Sequence, residues 1–295
     1  MRLASTLLRP LLTRELGFPQ ADFSRPLRER AIVPPDSVSW RVFSNPVSLY
    51  VGGIAAVLLE LGEPRVRAGV WGFSSFPREP KERMRRTGLG AMLTVYAAKS
   101  KFEAYVARVN AIHSQIRGLT DAGQPFRADD PELLRWVQAT ASYSFLEAYC
   151  RLVRPLNLAE CDRYYEEAAV GASYYGVAEP ARSRHAIAAL FARTAPTLEQ
   201  SGVIHEFLRI MRTAAILPRP FRPLQRVATA AAIDIVPSTL RERIGIADRR
   251  PLRTGELRLL RTLSNTIQRI HVPASPWALS CARLGLPQDY LQRST

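Results

Sequence analysis

Beyond residue 47 the chain repeats apolar side chains at spacings of three and four and hardly ever alternates them every second residue. Such a chain buries its apolar stripes only by packing helix on helix, because a sheet needs the two-residue period. Proline and glycine break the pattern into helix-sized pieces, and no internal repeat or low-complexity tract appears. The fold class that follows is all-α: a single helical domain over 48–295, preceded by an arm over 1–47 that packs on it. At 295 residues and 47% apolar, the chain has enough material for one large core.

The arm is rich in proline and charge, with "VPPD" at 33–36 as its breaker. Its start, "MRLASTLLRPLLTRELGF", has arginine and serine and no acid before Glu15, as organelle transit peptides do. Lacking an apolar signal region or a small-residue cleavage site, it reads as a short amphipathic arm. An apolar helix is expected from about Ser48 to Leu61, ended by Gly62 and Pro64. "KERMRRTGLGAMLTVYAA" follows as a helix despite two glycines. Ser100 and Glu103 have the spacing of a capping box. Behind them Phe102, Val106, Val109, His113 and Ile116 fall on one helix face, with Gly118 as the stop. Thr120–Arg127 is expected to be loop, and Asp129 or Asp130 then caps a long helix with Pro131 in its first turn. Helices at 156–171 and 184–192, a proline-punctuated link at 216–225, and helices near 224–234, 238–244 and 254–268 complete the series.

The net charge is +15, nearly all of it arginine, since Lys81, Lys99 and Lys101 are the only lysines. The arginines are scattered instead of massed in a tract, so nucleic acid is not an expected partner. From residue 206 onward 15 arginines face 6 acids. That excess is expected to be solvated, and peripheral contact with an anionic membrane stays open. Cys150, Cys161 and Cys281 form no disulfide framework and no zinc spacing, and no apolar run is long enough to span a bilayer. A reducing, cytoplasmic setting is the expectation.

Two features carry chemistry. His113 stands on an otherwise apolar helix face, where an imidazole must be hydrogen-bonded or bind a metal. No second histidine lies one turn away, and His185, His205 and His271 have no local pattern. One histidine facing an apolar cavity is what a haem requires, since the porphyrin supplies the other four nitrogens. The second feature is "KERMRRTGLG" (81–90), in which Arg83 and Thr87 share a helix face with Arg86 beside them. A cation and a hydroxyl there suit haem propionates or dioxygen; a solvated basic face is the other account of the same spacing.

An ordered series of motifs resembles one family. "GGIAAVLLELGEPRVRAGV" (52–70) is similar to its opening apolar helix, "RMRRT" (83–87) to its Arg-x-x-x-Thr signature, and "RVNAIHSQIRG" (108–118) to the segment with the axial histidine. "DDPELLRWVQAT" (129–140), "NLAECDRYYEEA" (157–168) and "LPRPFRPLQRVATAAAIDIVPSTLRERIGI" (217–246) resemble later elements. The family is that of the haem-dependent oxygenases MpaB and latex-clearing protein, the rubber oxygenases. The resemblance implies a partly globin-like domain with a haem b pocket between helices and His113 as the iron ligand. Arg83, Arg86, Thr87 and Trp136 would bind the cofactor, and Arg86 and Thr87 would serve catalysis.

Two positions depart from the family pattern. Arg86 stands where rubber oxygenases have a lysine that closes the distal side; a guanidinium has no lone pair to give iron, so that side should be open, water-bound or filled by another group. Gln138 stands where many members have histidine. The family's catalytic glutamate has Glu60 and Glu63 as nearby candidates. Trp136, Thr140 and Tyr143 share a helix face and would line the pocket or simply pack in the core.

The function implied is a haem b-dependent oxygenase acting with dioxygen on a small apolar, isoprenoid- or lipid-like substrate. A haem-binding sensor or carrier without turnover is the alternative, favoured by Arg86 and Gln138. A haem-free basic scaffold is a third. Oligomeric state has no signature in the chain.

Overall fold

The computed structural model describes residues 21–73, 75–217 and 219–293. Residues 1–20, with the transit-peptide-like start, lie outside the described residues. The elements in chain order are α1 (Val38–Val42), α2 (Pro46–Gly62), α3 (Pro64–Gly72), α4 (Pro80–Tyr96), α5 (Lys99–His113), β1 (Arg117–Leu119), β2 (Pro125–Arg127), α6 (Pro131–Leu152), α7 (Leu158–Tyr174), α8 (Arg184–Thr194), α9 (Gly202–Thr213), α10 (Arg222–Ile235), α11 (Ser238–Arg243), α12 (Thr254–Gln268), α13 (Pro276–Arg283) and α14 (Tyr290–Arg293). The fold is all-α: among the described residues β1 and β2 are the only strands, a short antiparallel hairpin that pairs Gly118 with Phe126.

Local chemistry sets the helix starts. Asn45 accepts hydrogen bonds from the Val47 and Ser48 amides ahead of α2, and Pro46 fills a position that needs no donor. Asp130 does the same for α6, accepting from Glu132 and Leu133. Asn157 and Glu160 form a reciprocal capping box on α7. Pro64, expected only to end α2, opens α3, whose first turn is capped by the Glu63 carboxylate at the Val66 amide.

α2 is the axis of the core and lies lengthwise along α6. A Cβ on Gly52 would stand 2.9 Å from both Phe145 Cδ1 and the Ser144 carbonyl, so the absent side chain lets the two backbones meet. Arg65, just past the other end of α2, reaches Glu132 at the start of α6, at 3.6 Å. The helices are therefore antiparallel, and Glu60 is level with Val137 and Gln138 along them. One apolar core runs from Phe23 to Leu291.

Several expectations are corrected. The part of the arm that the structure describes supplies core side chains: Phe23, Val33 and Trp40 belong to that core, and the Tyr96 hydroxyl donates to the Trp40 carbonyl at 2.7 Å. Arg283, 1% exposed, ties the segment down by donating to the carbonyls of Phe23, Glu29 and Tyr96. Ser100 and Glu103 form no capping box. Ala98 precedes α5 without a side-chain cap, and the Ser100 amide and hydroxyl both donate to Glu29, so a carboxylate from the distant arm does the work. α5 ends at His113, and Gly118 lies in the hairpin that fills part of the expected loop. α1, α3, α9, α13 and α14 have no counterpart among the helices expected from the sequence. No single helix among the described residues is long and apolar enough to cross a membrane; α2 and α3 together have the length and composition but bend by 115°.

Candidate functional site

The basic stretch divides between two environments. On α4, Glu82 holds Arg85 by two hydrogen bonds of 2.9 and 2.8 Å, and Arg86 donates to Ser75 Oγ at 2.7 Å. Arg85, Arg86 and Thr87 are exposed, and the Thr87 hydroxyl donates back to the Arg83 carbonyl at 3.0 Å. Arg83 turns inward and is half-buried. Among the described residues its guanidinium has no hydrogen bond and no carboxylate within 4.0 Å.

Three other groups sense that charge. Glu60, from α2, is the one acid inside the apolar run "VGGIAAVLLELG". Burial pushes its carboxyl up to about 7, against the opposing pull of Arg83. Tyr105, on α5, is raised by burial and pulled down by Arg83. Its hydroxyl rests against Gly90 of α4, where a Cβ would lie 2.6 Å away. His113, the last residue of α5, is half-buried instead of sunk in the core, and burial followed by the Arg83 charge lowers its pKa against a weaker pull from Asp129. Near neutral pH the site therefore holds a neutral imidazole, a half-ionised carboxyl and a fixed cation.

The His113 ring makes no hydrogen bond to a described residue, so a nitrogen lone pair is free. Ile112, beside it, is 54% exposed, an apolar side chain facing solvent at the edge of the site. No group of three or more His, Cys, Asp or Glu side chains fit to hold a bare metal ion occurs among the described residues. A porphyrin asks for less: one neutral imidazole and a cation for its carboxylates. His113 and Arg83 are those two groups, neither hydrogen-bonded through its side chain to a described residue, so their chemistry fits an iron porphyrin.

Residues 40–268 match the model of the family described as ER-bound oxygenase mpaB/B'/Rubber oxygenase, catalytic domain. The chain belongs to this family. It is thus an oxygenase catalytic domain, one that acts with dioxygen on a small substrate. No curated protein and no solved structure gives a match. The match runs from Trp40 in α1 to the end of α12 and includes Glu60, Arg83, Tyr105 and His113.

Within this oxygenase domain the two glutamates considered from sequence separate. Glu63 caps α3 and pairs with Arg65 at 2.8 Å, while Glu60 stands with Arg83. Trp136 is 2% exposed and packs against Phe191 at 5.3 Å, with Tyr143 on the same Phe191 ring at 5.0 Å. That stack is where the structure puts the candidate pocket face of α6. Gln138 donates to Ser142 Oγ at 3.1 Å, and its Oε1 is buried without a partner among the described residues. One cleft of about 400 Å³ lies beside Arg78–Glu82 and another of about 420 Å³ between α6, α8 and α11; His113 lines neither of these. Tyr105 escaped the sequence reading, and its only local signal is a place two turns before His113 on α5.

Proposed function

We propose that this oxygenase domain works with haem b, ligated by His113, and oxidises an apolar, isoprenoid- or lipid-like substrate. The observation that carries the reading is the pairing of a neutral, unbonded His113 imidazole with the unpaired Arg83 guanidinium. Bound haem supplies the dioxygen and electron chemistry that side chains lack. His113 would hold the iron through a ring nitrogen whose neutral form burial and Arg83 favour. Arg83 offers its guanidinium to a propionate. Glu60, half-ionised at neutral pH, is suited to take or return a proton at its carboxyl oxygen, a task that calls for a pKa near the working pH. Arg86 and Thr87, exposed on α4, spend donors on Ser75 Oγ and the Arg83 carbonyl, so the further polar group beside Arg83 is the Tyr105 phenol.

The test is an absorption spectrum of protein produced with a haem precursor, beside His113→Ala. A Soret band that collapses or shifts in the variant supports the reading and justifies screening isoprenoids for oxygen uptake. Well-folded wild type that shows no Soret band after haem titration overturns it.

A further inference from the structure

The cleft of about 420 Å³ between α6, α8 and α11 is of small-molecule size and is lined by Tyr143, Glu147, Arg184, Phe191 and Leu240 among others. Its walls are mainly apolar, and its polar groups are unequally used. Tyr143 packs edge-on against Phe191, and its hydroxyl donates to the Ile235 carbonyl at 3.2 Å, so its polar end is occupied. Glu147 is half-buried in the wall and has no hydrogen bond and no cation within 4.0 Å among the described residues. The Arg184 guanidinium, exposed at the lip, has no carboxylate within that distance either; only its backbone amide is engaged, donating to Asp162 at 2.8 Å. An acceptor and a donor of opposite charge thus line one apolar space without touching each other.

We propose that this cleft binds a small apolar molecule through one hydroxyl group, which donates to the Glu147 carboxylate and accepts from the Arg184 guanidinium. The hydrocarbon body lies on Phe191 and Leu240. A hydroxyl fits because one oxygen both donates and accepts. A ligand carboxylate would satisfy Arg184 but oppose Glu147, and an ammonium would do the reverse. Burial raises the Glu147 pKa against the weaker pull of Arg184 and Arg151, because the anion lacks the donors that water would give it. The site shares no lining residue with the His113 group, and the inference does not depend on haem.

The test measures binding of decan-1-ol, its methyl ether and decanoate to the full chain by ligand-detected NMR. The alcohol is expected to bind about tenfold or more tightly than the ether, which accepts but cannot donate. Glu147→Leu removes that advantage, and Ala188→Trp, at an exposed position on the lip, blocks all three. Circular dichroism checks that Glu147→Leu is folded; Ala188→Trp tests the location independently of the buried carboxyl. The proposal is overturned if none of the three binds, if the ether equals the alcohol, if decanoate binds most tightly, or if Ala188→Trp leaves the alcohol's affinity unchanged.

Discussion

Glu60→Gln should stabilise the protein in a strictly pH-dependent way. Burial moves the Glu60 carboxyl from its ordinary 4.5 to about 7 in the folded chain. In the unfolded chain it returns to the ordinary value. Below that value both states hold the proton, and the carboxyl costs folding nothing. As pH rises from there toward 7 the unfolded state ionises first, and stability drains away until the folded carboxyl ionises too. Each unit of pKa difference is worth about 1.4 kcal/mol, so the loss reaches about 3 kcal/mol. The residual exposure of Glu60 makes that figure a ceiling. Glutamine has the same shape and no titration. Urea unfolding of wild type and variant should give similar stabilities near about pH 4 and a variant ahead by up to about 3 kcal/mol near about pH 8. Taking the difference cancels the titration of every other carboxylate. A difference that stays flat with pH, or falls as pH rises, would refute a buried, unpaired Glu60.

Arg83→Leu should raise the pKa of both Glu60 and His113, since its cation favours the anion and disfavours the imidazolium; NMR titration of the two side chains checks both signs. Arg283→Met takes the donor from the buried Phe23 carbonyl and the part-buried Glu29 carbonyl, while the Tyr96 carbonyl keeps the Ser280 hydroxyl; it should cost about 2 kcal/mol or more, read from the urea midpoint, with faster proteolysis at residues 23–30. Gly52→Ala meets backbone at the Ser144 carbonyl and should lower the melting temperature, because an overpacking cost of about 1–3 kcal/mol exceeds or cancels the gain of about 1 kcal/mol from helix propensity. Gly90→Ala meets only the movable tip of Tyr105, so it should leave the melting temperature nearly unchanged while displacing the phenol from Arg83, which a shifted Tyr105 titration would report.

The fold class and most helices were legible because they depend on the periodic burial of one face, which sequence carries directly. The chain also showed that His113 and the Arg83 stretch were worth attention, and that Glu60 was an acid in an apolar run. What it hid were relations between distant segments. Ser100 and Glu103 have the spacing of a cap, yet Glu29 reaches the Ser100 amide first, and no local pattern can reveal that competitor. His113 continues an apolar stripe on paper, but the helix stops at that residue because the chain turns into the β1–β2 hairpin, whose pairing lies downstream. Tyr105 joins the site only through the close approach of α4 and α5 at Gly90.

The same logic explains why Arg83 is the key to the site and not merely a member of it. A half-buried guanidinium without a counter-anion is costly to keep, since desolvation is not repaid by a partner. Glu60 does not repay it at neutral pH, because its own burial leaves it half protonated. Nor does His113, which Arg83 itself helps keep neutral. The charge balance of the three residues is therefore incomplete among the described residues, and an anionic ligand carboxylate would complete it. Such a ligand would stabilise the fold and, by supplying the missing negative charge, draw the His113 pKa upward and push that of Glu60 higher. Arg83→Leu removes the need for that anion. Its stability should consequently respond less than wild type to added haem, even where His113 is intact.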